Sequence, residues 1–161
     1  MKKRKNIITV AIDSPAAAGA GTQAKLISEY YNLFHLDTGK IYRYIGKLKL
    51  ENNKNFTYNL VSKEVGNLKI NQLNNKALLS NEVAVSASKI AKNKKIRNIV
   101  HKYQQKCAYD PPKKYKGSVL DGRDIITVQL KDAMFKFYIS ASLKVRAKRR
   151  YEEYKDLDRK I

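Results

Sequence analysis

Apolar residues fall along this chain in short blocks of two kinds, and their alternation predicts an α/β architecture. Ile7 to Ile12 is an almost unbroken apolar run rich in β-branched side chains, the signature of a strand covered on both faces. It stops at Asp13-Ser14-Pro15. From Thr22 onward, Ala24, Leu26, Ile27, Tyr30 and Tyr31 recur at helical spacing, which predicts a helix over Gly21 to Tyr31 that stops at Asn32. Leu33 to Leu36 predicts a second strand, closed by Asp37-Thr38-Gly39. A second helix carrying Ile41, Tyr42, Ile45 and Leu48 follows. The order βαβα predicts a parallel sheet with right-handed crossovers.

The polar stretch 51–56 reads as a turn. Thr57 caps a predicted helix with Leu60, Val61 and Val65, stopped by Gly66. Leu68 to Ile70 and Ala77 to Leu79 are short strand candidates around a turn at Asn74-Asn75. Ser80 or Asn81 caps a helix with Val83, Val85, Ala87, Ile90 and Ala91, and a further helix runs from about Lys94 to Tyr109, ended by Asp110-Pro111-Pro112. Ser118 to Leu120 and Met134 to Ile139 are the remaining strands. The final helix, capped by Ser140 or Ser142, carries Leu143, Val145 and Ala147 beside a basic run from Lys144 to Arg150.

Composition narrows the class. The 161 residues are 43% hydrophobic and 30% charged, as in a globular domain with a sizeable core. No apolar run reaches membrane-spanning length, and Ile7 to Ile12 is too short for the core of a signal peptide. One cysteine, Cys107, forms no internal disulfide. We expect a cytoplasmic protein. Lys and Arg number 34 against 14 Asp and Glu, a formal net charge of +20, which favours anionic partners. Residues 1–6 form a short basic tail, but the lysines are otherwise scattered and lack the basic-aromatic interleaving that stacks bases. The scatter points to compositional bias rather than a nucleic-acid surface, although a positive field also suits an enzyme with nucleotide substrates, and no membrane or specific nucleic-acid partner is expected. His35 and His101 stand without a second metal ligand at metal-binding spacing, so no protein-held metal is expected.

Candidate chemistry concentrates at the predicted strand ends. The segment after the first strand, Ser14-Pro15-Ala16-Ala17-Ala18-Gly19-Ala20-Gly21-Thr22, has the context of a phosphate cradle, in which loop amides and a helix N-terminus converge on one anion. Ser14 stands where G-x-x-x-x-G-K has its first glycine, and Ala20 stands where it has its lysine. Asp37-Thr38 and Asp121-Gly122-Arg123-Asp124 close other strands, where open α/β sheets bind their ligands. Arg43 lies about one turn beyond Thr38. Arg123 has the fork geometry for a phosphate, with a salt bridge to a neighbouring Asp as the structural alternative.

These residues together resemble the cytidylate kinases. The loop with Asp13, Pro15, Gly19, Gly21 and Thr22 is similar to that family's phosphate loop. Leu36-Asp37-Thr38-Gly39 with Ile41-Tyr42-Arg43 resembles its L-D-[ST]-G-x-x-Y-R. Glu82-Val83-Ala84 through Ser86-Ala87-Ser88 to Arg97 resembles its E-V-x-x-x-[AV]-S segment and following arginine. Asp121 to Asp124 matches its D-G-R-D, and Arg146-Ala147-Lys148-Arg149-Arg150 its R-A-x-R-R helix. The motifs occur in the family's order from about Ile7 to Arg150.

The resemblance implies an α/β fold with a P-loop-type parallel sheet flanked by helices and a small monophosphate-binding insertion at about 52–87. It also implies that residues 1–161 are one kinase domain, truncated at the C-terminal side where the family's lid begins. It implies phosphoryl transfer from ATP to CMP or dCMP, with Mg2+ entering with ATP, by a monomer. Ser14 to Thr22 would hold the ATP phosphates. Thr38, Arg43 and Arg123 would grip the CMP phosphate, and Ser88, Arg97 and Asp124 would read the cytosine, with Arg123 and Asp124 as the catalytic pair. Lys25 and Lys40 are the candidates for the charge that Ala20 lacks, Lys25 being the more readily solvated or ion-paired. Two alternatives stay open: a catalytically impaired nucleotide-binding homologue and a basic nucleic-acid-binding protein.

Overall fold

A computed structural model describes residues 7–158; the basic tail 1–6 lies outside them. In chain order the elements are β1 (Ile8–Asp13), α1 (Ala20–Tyr31), β2 (Leu33–Asp37), α2 (Thr38–Asn52), α3 (Tyr58–Gly66), α4 (Asn81–Ile90), α5 (Lys94–Tyr109), β3 (Gly117–Gly122), β4 (Phe135–Tyr138) and α6 (Leu143–Asp158). The chain divides into two compact units. One comprises residues 37–107, and the other the described residues up to 36 together with those from 108 onward.

The second unit holds the sheet, ordered β2-β3-β1-β4. β1 pairs in parallel with β3 on one side, Val10 opposite Val119, and with β4 on the other, Val10 opposite Phe135. Being internal, β1 is buried along nearly its whole length, the physical reason its sequence is continuously apolar rather than alternating. Val10, Ile12, Ala20, Ala24, Leu33 and Val119 form the hydrophobic core of this unit, joined by Ile8, Ile27 and Ile139. All four residues of β4, at the sheet edge, are exposed.

Local sequence signals account for most element ends. Asn32 adopts a left-handed conformation (φ 54°) and its N–H bonds the Ser28 carbonyl, closing α1. The Thr57 side chain accepts from Leu60 N at 3.2 Å and caps α3. Of the two cap candidates before α4 it is Ser80, accepting from Val83 N at 3.3 Å. Ser142 accepts from Val145 N at 3.4 Å at the start of α6. Among the described residues no helix is long and apolar enough to cross a membrane.

Two expected elements are different. Neither Leu68 to Ile70 nor Ala77 to Leu79 forms a strand. The chain there makes two short 3-10 turns, Ile70–Asn74 and Lys76–Leu79. Their apolar residues Leu73 and Leu78 are buried, and Asn75 Oδ1 accepts from Ala77 N at 2.9 Å, a local bond that competes with extension. A single π-helical turn, Ile125–Gln129, follows β3 and carries no periodic signal.

In the unit 37–107, α2 and α4 meet closely. A Cβ on Gly46 would stand 2.9 Å from Ala87 N and 3.0 Å from the Val83 carbonyl. The buried Ser86 hydroxyl donates to the Gly46 carbonyl at 3.0 Å across this crossing.

Candidate functional site

The loop after β1 is anchored at its root. Ser14 N donates to Gly122 O at 2.9 Å, and Ile139 N donates to Asp13 O at 2.9 Å, so backbone bonds on both sides fix where the loop leaves the sheet. Ala18 N then donates to Pro15 O at 3.3 Å, closing a turn. Ala17 has φ 60° and Gly19 φ 101°. Gly19 tolerates that conformation, whereas Ala17 is strained in it. α1 starts at Ala20, with Gly19 at its N-cap, no side chain capping it and no acid in its first turn. The first helical amides have no carbonyl partner inside the helix. They and the helix dipole favour an anion.

The position of the motif's lysine has become part of the core. Ala20 is buried against Val10, Ile12 and Ala24. Lys25 is exposed and pairs with Glu29 at 3.8 Å, and Lys40 belongs to the other unit. The cation that does reach the loop is Arg149 of α6. Its Nη1 donates to Ala18 O at 3.0 Å and to Ala17 O at 3.4 Å.

β3 ends on charged groups. Asp121 is buried, and its Oδ1 accepts from His35 Nε2 at 2.7 Å. Its Oδ2 lies 3.7 Å from where a Cβ on Gly21 would stand, so a carboxylate sits close to the first turn of α1. Arg123 is exposed and Asp124 half-buried. Asp13, at the end of β1, is 5% exposed. Its carboxylate accepts from Ile125 N at 2.6 Å and from Ile126 N at 3.2 Å. Burial raises the Asp13 pKa; the two amide bonds oppose this and the charge of Asp124 adds to it. Asp13 thus ties the root of the loop to the backbone just after Arg123 and Asp124.

In the unit 37–107, Thr38 is buried at the start of α2, where Asp37 accepts from Lys40 N at 3.3 Å and caps the helix. Arg43 donates through Nη1 to Leu78 O at 2.8 Å, so one edge of its guanidinium braces the second 3-10 turn. Ser88 is exposed and Arg97 half-buried. A cavity of ≈ 310 Å³ in this unit is lined by Tyr44, Lys47, Leu48, Glu51, Glu64, Gln72, Asn75 and Leu78, none of them an expected acceptor residue. The Tyr44 hydroxyl donates to Glu64 at 3.1 Å there.

The structure therefore groups Ser14 to Thr22, Arg123 and Asp124 in the sheet unit, and Thr38, Arg43, Ser88 and Arg97 in the other. Sequence reasoning missed three contributors: His35 as the partner of Asp121, the Asp13 carboxylate as a backbone acceptor, and Arg149 on the loop. Among the described residues no three or more His, Cys, Asp or Glu side chains gather to hold a metal. Asp121, whose carboxylate lies near the head of α1, suits Mg2+, which takes one or two carboxylates and fills its shell with phosphate oxygens and water.

Comparison with known proteins follows this geometry. The profile of the family described as Cytidylate kinase matches residues 10–160. The chain is 47% identical over 151 residues to the cytidylate kinase of Bartonella tribocorum, covering 89% of this chain and 66% of that protein. It is 42% identical over 151 residues to that of Bartonella bacilliformis, covering 92% and 67%. It is 42% identical over 146 residues to that of Agrobacterium fabrum, covering 90% and 68%. The chain thus spans about two thirds of the length of these curated relatives.

Proposed function

Because the chain belongs to the cytidylate kinase family, we propose that the full-length protein transfers a phosphoryl group from ATP to CMP or dCMP, a step in pyrimidine nucleotide metabolism. A phosphate oxygen of the monophosphate attacks the γ-phosphorus in line. The new P–O bond forms as the bond to the bridging oxygen breaks, leaving CDP or dCDP and ADP. The observation that carries the reading is the head of α1. It is uncapped, free of acidic side chains in its first turn, and follows a loop whose root is fixed to β3 and β4.

Each predicted residue then has a task. The loop Ser14 to Thr22 holds the ATP phosphates, through the amides from Gly19 to Thr22 at the head of α1 and with the Thr22 hydroxyl bonding a phosphate oxygen; Pro15 has no N–H, and those of Ser14 and Ala18 are bonded to Gly122 O and Pro15 O. Thr38, Arg43 and Arg123 bind the acceptor phosphate and hold its oxygen for attack. Ser88, Arg97 and Asp124 match the amino donor and carbonyl acceptor of cytosine. Mg2+ enters with ATP and neutralises charge on its phosphate oxygens, with Asp121 as the side chain that would hold its water shell. Positioning and charge neutralisation are most of what this reaction requires. Ala20, packed in the core, supplies no charge that could follow the moving phosphoryl group, so we expect slow turnover. We read the protein as a cytoplasmic monomer acting on free nucleotides, and residues from about 52 to 87 as its small monophosphate-binding insertion.

The test is ADP release by the full-length protein with ATP and, in parallel, CMP, dCMP, UMP and AMP. CMP- and dCMP-dependent turnover is expected. No CMP-dependent turnover overturns the reading. Tight, steeply salt-dependent RNA binding with no mononucleotide effect would favour a nucleic-acid-binding protein instead.

A further inference from the structure

We propose that Arg149 is the positioning residue of the phosphate loop: it grips the carbonyls of Ala17 and Ala18 from behind and so turns the Gly19 N–H toward a bound polyphosphate. This rests on the reading of Ser14 to Thr22 as the site for the ATP phosphates.

In a trans peptide the C=O and the N–H of the next residue point in opposite directions. Arg149 Nη1 takes the Ala18 carbonyl at 3.0 Å and the Ala17 carbonyl at 3.4 Å. The amides sharing those planes, at Gly19 and Ala18, are therefore turned away from Arg149. Ala18 N closes the turn to Pro15, so Gly19 N–H is the donor presented on the far side, next to the first amides of α1. Both carbonyls accept from a cation, which polarises their peptides and makes the opposite N–H edges better anion donors.

Two further observations belong to the same contact. A Cβ on Gly19 would stand 3.3 Å from Nη1, so the guanidinium lies directly against that residue. Ala17, whose carbonyl Arg149 holds, is a non-glycine residue at φ 60°. Such strain persists only where surrounding contacts over-determine the backbone, and two hydrogen bonds from one nitrogen of a rigid, planar guanidinium to adjacent carbonyls are contacts of that kind. Where a lysine at position 20 would supply both charge and a strap over the loop, this chain buries an alanine. Arg149 approaches from behind and supplies order and positive field without contacting the phosphates.

The experiment measures binding of inorganic tripolyphosphate, ATP and CMP to the full-length protein by calorimetry, with steady-state kinetics beside it. Variants are Arg149→Met, which keeps the aliphatic stem, and Arg149→Lys, which keeps the charge. Arg149→Met is expected to weaken tripolyphosphate and ATP about tenfold or more, to raise KM for ATP, and to leave CMP affinity and its KM within about twofold. Arg149→Lys is expected to fall between, because it keeps the charge but loses the planar, fixed orientation of the guanidinium donors. Arg149 is exposed, so the melting temperature should move little. Tripolyphosphate and ATP affinities within twofold of wild type in Arg149→Met would overturn the inference while CMP-dependent turnover stands. Wild-type tripolyphosphate binding lost in Arg149→Met, with no CMP-dependent turnover, would support the inference and overturn the kinase reading. No binding of either tripolyphosphate or ATP by the wild type would overturn both.

Discussion

The Asp13 carboxylate, at the end of β1, accepts the backbone amide of Ile125 at 2.6 Å across 112 positions of sequence, with Ile126 N at 3.2 Å on its other oxygen. These bonds start the π-helical turn after Arg123 and Asp124. Asp13→Ala strands a buried amide and a half-buried one, and the cost of leaving such donors unpaired predicts a loss of about 3 kcal/mol in urea unfolding. Arg123 and Asp124 would then lose their fixed position, so CMP affinity should fall as well.

The same carboxylate sets a pH dependence. Burial raises its native pKa above the ordinary 3.8, so the native state keeps this proton to higher pH than the unfolded chain. Its contribution to stability is complete below 3.8, declines as pH rises toward the raised native value, and is constant above it. Asp13→Asn removes that titration. Urea midpoints measured against pH should show wild type losing ground to Asp13→Asn as pH rises from about 4. Parallel profiles would contradict the assignment.

Strain at Ala17 gives a prediction of opposite sign. Its φ of 60° costs an alanine about 1 kcal/mol that a glycine avoids. Ala17→Gly should therefore leave thermal stability unchanged or raise it by up to about 1 kcal/mol, the flexibility of unfolded glycine offsetting part of the gain. A clear loss would show that this conformation is not the one populated.

In the unit 37–107, the Gly46 crossing leaves no room for a methyl group, since the obstructing atoms are the α4 backbone. Gly46→Ala should destabilise by about 2 kcal/mol, despite the better helix propensity of alanine, and should also strain the Ser86 bond. Hydrogen exchange in α2 and α4 would rise together.

Cys107 should be inert while the protein is folded. Burial pushes its thiol up to about 11, against the weaker pull of Tyr103 and Lys106. About one thiol in a thousand is then ionised at pH 8. Iodoacetamide should alkylate it about a hundredfold more slowly than free cysteine, and at the ordinary rate in denaturant.

What the sequence made legible followed local rules. The unbroken apolar run of β1, the 3.6-residue period of α1, α2 and α5, and the caps Thr57 and Ser80 each have a cause within a few residues. Leu68 to Ile70 and Ala77 to Leu79 misled because a short apolar run does not distinguish a strand from a 3-10 turn. Asn75 decided the second by bonding its own backbone. The loop was readable as a cradle from its place between strand and helix. Its supports were not, because His35 to Asp121 spans 86 positions and Arg149 to Ala18 spans 131, and no periodicity carries side-chain contacts over such distances. His35 read as an ordinary strand residue because its partner lies on β3.

The central claim is that this lysine-less loop still serves phosphoryl transfer to a cytidine monophosphate. Phosphorus NMR of the full-length protein with ATP, Mg2+ and CMP tests it most directly. The account predicts that CDP resonances grow as those of ATP and CMP decline, and that Arg123→Ala abolishes the change. A spectrum in which CMP stays unconsumed while ATP remains intact or is merely hydrolysed would contradict it.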